Sequence, residues 1–505
     1  MAAKRRVWPR RVRRAVQASA FACFVAFVAA GPLLSESGAR GDWLMRFSPL
    51  SGLAASASAR QVMWGFWPAA ALLLGAVLLG RFFCGWVCPL GTTLDLADRV
   101  AGFLRPRRRD SEGRPEFEHV RGRRVKHYVL VACVVGAAVG VPLFGLLDPL
   151  GVASRGAYVF VGAFPLQAAT LLVLVAVLAL NMVRRRFWCR YVCPLGALYA
   201  LAGRASLARR RATDACIECG LCAQACPTAC ISRDGKRTLH DECILCLDCQ
   251  AVCPVPAVRF FGAAPTAERR RVNLSRRGVL AGAAAGVAAH PVFHVGSASA
   301  AADAAPPIRP PLAGRDVGTF LRRCLRCGQC VRACPTNVIQ PSGLADGLGA
   351  LWTPELRPRP AYCEYDCDLC GQACPTGAIP PFTLEEKHRT AMGLASVDRS
   401  RCIPWVAGSG GGPQDMCGLC VRACPVPGKA IRMMPLPDAD EDDLPWYVPY
   451  VLEDACIGCG RCESVCPVSG PAAIRVAGGF RDLPPRGRGG RWRTRRRSGM
   501  ASEGP

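Results

Sequence analysis

Six times along its 505 residues the chain sets four cysteines in a run and follows the last of them with proline. The first two runs are Cys216, Cys219, Cys222, Cys226 and Cys243, Cys246, Cys249, Cys253. Four more follow: Cys324, Cys327, Cys330, Cys334; Cys363, Cys367, Cys370, Cys374; Cys402, Cys417, Cys420, Cys424; and Cys456, Cys459, Cys462, Cys466. The pattern C-x2-C-x2-C-x3-C-P belongs to bacterial [4Fe-4S] ligation, where three thiolates of a run hold one cube and the fourth ligates its neighbour. Thiolates are soft anionic donors suited to iron, and the tight spacing lets one loop wrap a cluster. Zinc ribbons lack the third and fourth cysteine with proline, and disulfides have no need of the repeated C-x2-C step. About six [4Fe-4S] clusters are expected, carried on α+β ferredoxin-like domains.

Crosswise exchange in the first pair groups Cys216, Cys219 and Cys222 with Cys253, and Cys243, Cys246 and Cys249 with Cys226. Among the later four runs, two of standard spacing flank two irregular ones. Nested pairing is expected there, first with fourth and second with third. Cys230, Cys23 and Cys133 read as packing residues.

With 51% hydrophobic residues and only 20% charged, the chain mixes membrane spans with polar domains. Four apolar stretches, residues 15–34, 62–79, 128–147 and 157–183, are expected to cross a bilayer as two hairpin repeats. The net charge of +27 sits mainly in residues 1–14, 105–126 and 184–211, with a further basic tail from residue 486. That alternation along the spans is the positive-inside pattern, which explains the charge without nucleic acid. It places the first two-run domain in the cytoplasm of a bacterial inner-membrane protein. There is no phosphate-binding loop for ATP, no C-x-x-C-H for haem c, and one histidine, His127, at the edge of an apolar stretch, too few to hold haem b.

The hairpins end alike, in R-F-F-C-G-W-V-C-P-L-G at 81–91 and R-F-W-C-R-Y-V-C-P-L-G at 186–196. If the hairpins pack about a pseudo-twofold axis, Cys84, Cys88, Cys189 and Cys193 converge on a seventh metal or redox site. The alternatives are two redox-active dithiols or structural cysteines. Ser275-Arg276-Arg277, opening a weakly apolar stretch at 273–302, reads as a twin-arginine export signal, as an uncleaved fifth helix, or as an Ala/Gly-rich linker. The expected divisions are a membrane domain at 1–205, a two-cluster domain at 206–262, signal and linker at 263–311, a four-cluster domain at 312–480 and a disordered basic tail at 481–505.

The paired Cys-x3-Cys-Pro motifs followed by a two-cluster ferredoxin resemble NapH-type membrane subunits. The twin-arginine segment with the four-run module, including Cys402-Ile403-Pro404-Trp405, resembles the NapG type. Over residues 10–480 the chain is similar to a fusion of the two, a ferredoxin-type membrane quinol dehydrogenase. The resemblance implies quinol as substrate, drawn from the membrane quinone pool. It also implies a periplasmic reductase or its cytochrome as acceptor, of nitrate or nitrous-oxide type, and export of the C-terminal module by the twin-arginine machinery. Asp148 and Arg155 are candidates for proton or quinone-oxygen contacts, or else interfacial anchors. A maturation factor for a periplasmic metalloenzyme, or a conduit fed by a cytoplasmic ferredoxin or flavodoxin, would use the same clusters.

Overall fold

The computed structural model of the chain describes residues 2–30, 43–104, 122–160, 168–260, 274–299, 306–343, 347–407, 417–435 and 447–484. Its N-terminal half is a helical bundle. Helix α1 (Ala2–Ala29) contains a 22-residue apolar stretch, Trp8–Ala29, long enough to cross a membrane. Two matching sets of three helices follow it. The first is α2 (Pro49–Ala59), α3 (Trp67–Leu79) and α4 (Pro89–Leu104). After α5 (Val125–Ala138) comes the second: α6 (Pro149–Phe160), α7 (Ala168–Val183) and α8 (Pro194–Ala202). The opening helix of each set begins with proline, whose fixed φ suits a first helical turn. A short polar residue caps each: Ser51 N–H donates to Ser48 Oγ, and Gly151 N–H donates to the Asp148 carboxylate.

The apolar helices are shorter than the sequence suggests. Helices α3 and α5 have 13 and 14 residues. At about 1.5 Å per residue they span roughly 20–21 Å, short of a hydrocarbon core of about 30 Å. The third expected span breaks after Ala138, where Gly140 takes φ +91° and Pro142 follows. The chain then restarts as two separate helices, Phe144–Leu147 and α6. Hydropathy counts all of these residues as apolar and cannot register a left-handed glycine beside a proline. Residues 31–34 of the first expected span, 161–167 of the fourth, 105–121 of the basic loop and 485–505 of the tail lie outside the described residues.

Helix α9 (Arg276–Ser299) lies along α5. Gly278, Gly282 and Gly286 recur every fourth residue on its contact face. A methyl group at Gly282 would stand 2.7 Å from the Tyr128 carbonyl oxygen, and one at Gly286 would stand 2.6 Å from that of Ala132. Small residues at this spacing let two helix backbones touch, as they do between membrane helices.

The two ferredoxin-like modules dock at opposite ends of this bundle, and α1 touches both. Near its start, Arg10 and Arg13 pair with Asp248 of the first module. Near its end, the Phe27 carbonyl accepts from Arg332 of the second at 2.6 Å. The first module closes with antiparallel β1 (Arg210–Ala212) and β2 (Val258–Phe260). The second contains three antiparallel pairs: β3 (Ile339–Pro341) with β4 (Pro354–Leu356), β5 (Thr390–Val397) with β8 (Ile474–Asp482), and β6 (Ile431–Pro435) with β7 (Tyr447–Val451). Its edges reach beyond 312–480. Ile308 bridges to Leu356, Arg309 is buried, and β8 runs to Asp482.

Gly282→Leu should push α9 off α5, at a cost of about 1–3 kcal/mol for overpacking. It should lower the thermal midpoint of the detergent-solubilised protein. Gly479→Leu, where nothing lies within 4 Å of an added Cβ, should leave the midpoint in place.

Candidate iron–sulfur centres

The C-x2-C-x2-C loops share one backbone device. In all four runs of standard spacing the residues on both sides of the second cysteine are left-handed: Glu218 and Gly220, Leu245 and Leu247, Arg326 and Gly328, Gly458 and Gly460. Left-handed residues on either side of the cysteine curl the loop so that peptide N–H groups turn inward, a concavity that favours a negatively charged guest. A short helix then carries the third cysteine, as in Leu221–Ala225 and Gln329–Ala333.

In the first module Cys216, Cys219, Cys222 and Cys253 line one cavity. Cys226, Cys243, Cys246 and Cys249 line another. These are the crosswise groups expected. Buried Arg210 lies against both cavities and donates to Cys222 Sγ at 3.3 Å. Cys230, read from sequence as a packing residue, lines the second cavity with its sulfur 3.5 Å from that of Cys226. Of the other two cysteines read in that way, Cys133 is buried in the bundle and Cys23 is exposed on α1.

In the second module the nested pairing is overturned. Cys324, Cys327 and Cys330 line a cavity with Cys374, and the thiols of Cys363, Cys367 and Cys370 gather around Cys334. Likewise Cys402, Cys417 and Cys420 face Cys466, while Cys456, Cys459 and Cys462 face Cys424. Each run therefore pairs with the next one. The cause is the β-hairpin between consecutive runs: β3–β4 folds the second run onto the first, and β6–β7 folds the fourth onto the third. Regularity of cysteine spacing carries no information about those hairpins. The two pairs are joined where Cys363 N–H donates to the Cys459 carbonyl at 2.8 Å.

Among the described residues no three Cys, His, Asp or Glu side chains are close enough to grip a single metal ion. The thiols ring cavities instead, which fits a guest several ångströms across with one corner per sulfur. Burial pushes the Cys327 thiol up to about 12 and that of Cys402 to about 11. Binding iron as thiolates would therefore release protons.

The two Cys-x3-Cys-Pro turns come together inside the bundle. Cys88 lies within electrostatic reach of Cys84 and Cys189, and Cys193 within reach of all three. The turns follow α3 and α7 as Phe82–Trp86 and the wider π-type Trp188–Val192. Two fully buried arginines cross between the repeats. Arg186 donates to the Cys84 carbonyl at 3.0 Å, and Arg81 to the Cys189 carbonyl at 3.3 Å. Glycines keep this crossing open: a Cβ at Gly196 would lie 2.9 Å from Arg81, and one at Gly91 would lie 2.8 Å from the Cys84 carbonyl oxygen that Arg186 holds. Arg186 shares Asp95 with Arg13, and Arg81 shares Glu242 with Lys126. In each set two cations face one carboxylate, and Arg13 also reaches Asp248 of the first module. Burial opposes ionisation of Glu242, but Arg81 and Lys126 outweigh it and hold the carboxyl below its ordinary range.

Asp148 is buried at the α6 N-terminus, where it also accepts from Ser48 Oγ at 3.3 Å. Sequence reading missed Ser48. The available signal is Ser48-Pro49-Leu50 against Asp148-Pro149-Leu150, a repeat offset by 100 positions. Arg155 is buried, donates to the Gly145 and Arg326 carbonyls at 2.9 and 3.0 Å, and stacks 4.3 Å over Trp352.

Two family models follow this division of the cysteines, whereas a further 4Fe-4S dicluster domain matches residues 242–339, across the boundary between the two modules. A 4Fe-4S binding domain matches residues 61–109 and 166–213, the two Cys-x3-Cys-Pro repeats. A 4Fe-4S dicluster domain matches 323–378 and 415–469, one per sequential pair. The methylamine utilization ferredoxin-type protein MauN of Paracoccus denitrificans is 32% identical over 238 residues, covering 43% of this chain and 75% of that protein. The chain belongs to the ferredoxin-type iron–sulfur electron-transfer family. The ferredoxin-type protein NapG of Escherichia coli is 35% identical over 166 residues, 32% of this chain and 68% of that one. For NapG of Haemophilus influenzae the figures are 33% over 170 residues, 33% of this chain and 57% of the relative. The chain thus spans little more than half the length of that relative. No solved structure matches it. As a family member the chain is an electron-transfer protein that binds several [4Fe-4S] clusters.

Cys374→Ser should perturb the paramagnetic signal of the centre at Cys324, Cys327 and Cys330, read by electron paramagnetic resonance. Cys466→Ser, which the nested arrangement would couple to that centre, should leave it unchanged. Glu242→Gln leaves Arg81 and Lys126 buried without their carboxylate, a loss of about 3–5 kcal/mol. Its readout is protease release of the first module.

Proposed function

We propose that this ferredoxin-type protein is a membrane-bound conduit that oxidises quinol and delivers electrons to a periplasmic reductase. One observation carries the reading: the cysteine groups form an unbroken series leading outward from the bundle. The Cys324 loop lies against the bundle through Arg155 and Arg332. The Cys363 group is its neighbour, the Cys459 loop touches that one, and the Cys402 group ends the series. A series anchored at one end and open at the other suits passage of single electrons from membrane to partner.

In this reading the 24 cysteines of the six runs hold six clusters, and Cys84, Cys88, Cys189 and Cys193 hold a seventh. Each cluster, when bound, supplies one-electron transfer. The chain's own residues bury the centres and balance their charge. The buried guanidinium groups of Arg81 and Arg186 beside the four-thiol site complement the negative charge of thiolate ligands. The helices α1, α3, α5 and α7 act as membrane spans, the bilayer thinning locally to meet the shorter ones, with α2 and α6 re-entering between them, and α9 remains as a fifth anchor rather than a cleaved signal. This puts the first module in the cytoplasm and the second in the periplasm. A second reading, entry of electrons from a cytoplasmic ferredoxin or flavodoxin, draws on the close docking of the first module. There Trp86 Nε1 donates to the Leu245 carbonyl at 3.0 Å, beside the Arg81–Glu242 pair.

Purified protein incubated anaerobically with a short-chain quinol should lose its broad visible iron–sulfur absorbance within the mixing time of a stopped-flow experiment. Intact clusters that bleach with dithionite or reduced flavodoxin, but never with quinol, would overturn the quinol reading in favour of the second.

A further inference from the structure

We propose that Asp148 and Tyr199 are the polar pair that receives the quinol head group, between the four-thiol site and the second module. The inference rests on the quinol reading above and assigns its site.

Tyr199 is fully buried on α8, with its ring 5.7 Å from that of Phe83. Its hydroxyl has no hydrogen-bond partner among the described residues. Leaving such a group buried and unsatisfied costs about 1–3 kcal/mol, and phenylalanine would fill the same space without that cost. The tyrosine lies within electrostatic reach of Cys84, Cys88 and Cys193 and also of Asp148. It is thus near both the thiol site and the carboxylate.

Asp148 differs from the carboxylates that hold the crossed arginines. Asp95 and Glu242 are each gripped by two cations. Asp148 makes no ion pair among the described residues and accepts only two long hydrogen bonds, 3.3 Å each, from Ser48 Oγ and Gly151 N–H. Arg155, the nearest cation, gives its guanidinium to the Gly145, Leu146 and Arg326 carbonyls. An ionisable side chain left unpaired at membrane depth marks a substrate or proton site. Two helix N-termini, those of α2 and α6, meet at this carboxylate and favour its negative form.

The chemistry balances on these groups. One quinol hydroxyl donates to the Asp148 carboxylate, and the other oxygen accepts from Tyr199 Oη–H. Oxidation breaks both quinol O–H bonds and yields quinone, two protons and two electrons. The first proton passes to Asp148. The first leaves Asp148 for water at the face where the second module docks, and the second reaches the same carboxylate after the half-oxidised head group turns its remaining hydroxyl to Asp148. The electrons depart singly to the oxidant of the step, the iron–sulfur centre whose loop Arg155 holds through Arg326.

The test is a binding titration. Detergent-solubilised holoprotein is titrated with 2-heptyl-4-hydroxyquinoline N-oxide, a quinol-site inhibitor whose fluorescence is quenched on binding. Tyr199→Phe and Asp148→Asn should each raise its Kd by about tenfold or more, the loss of one hydrogen bond to a charged or polar partner. Visible absorbance and iron content should stay unchanged, and the Tyr199→Phe thermal midpoint should be unchanged or raised. If both variants bind like the wild type, the pair is not the site and Tyr199 holds at most a buried water. If Asp148→Asn fails to fold, Tyr199→Phe decides alone. If the wild type neither binds the inhibitor nor bleaches with quinol, the quinol reading itself falls.

Discussion

Two guanidinium groups, Arg81 and Arg186, tie this molecule together by crossing from each helical repeat to a cysteine carbonyl of the other. Neither can be in place unless both repeats are folded. Neither could stay buried without its carboxylate, because an unpaired charge in the interior is costly. Those carboxylates carry the constraint outward. Asp95 recruits Arg13 of α1, and Glu242 belongs to the first ferredoxin-like module, one residue before Cys243. The same pair of interactions therefore closes the bundle, assembles the four thiols, seats α1 and docks a cysteine domain. The glycines that follow each Cys-Pro, Gly91 and Gly196, are fixed by the space these arginines and the neighbouring backbone occupy.

From this core the cysteine groups extend to either side. The first module lies at the Arg13 end of α1, and the second begins at the Phe27 end and leads away from it. Within the second module the order of groups follows from hairpins and from one backbone contact, Cys363 to Cys459. Consecutive groups are neighbours, so a charge on one is felt by the next, and Cys459 stands within reach of Cys363 across the two pairs. Such an arrangement serves transport along a line rather than storage at one place.

Much of this was legible in the sequence because cluster loops are local. The spacing within a run specifies the curl around its second cysteine, so the 24 run cysteines and the crosswise exchange in the first module could be read directly. The nested pairing failed because hairpins such as β3–β4, not cysteine spacing, decide which run meets which. The helix lengths were misjudged where Gly140 and Pro142 break an apolar run that hydropathy treats as continuous. Convergence of Cys84, Cys88, Cys189 and Cys193 could be posed from the repeat but not decided, because it depends on how the halves pack. Ser48 and Tyr199 left almost no trace, since a capping serine and a core tyrosine look ordinary until their surroundings are known.

In the proposed conduit the crossed arginines frame a seventh cluster beside the six of the cysteine runs. The decisive quantity is iron per polypeptide, measured by mass spectrometry on anaerobically purified protein with quantitative amino-acid analysis. At four irons per cluster, seven clusters bring about 28 irons per chain. A value that levels at about 24 in fully loaded protein would contradict it, leaving the four thiols as dithiols or packing residues.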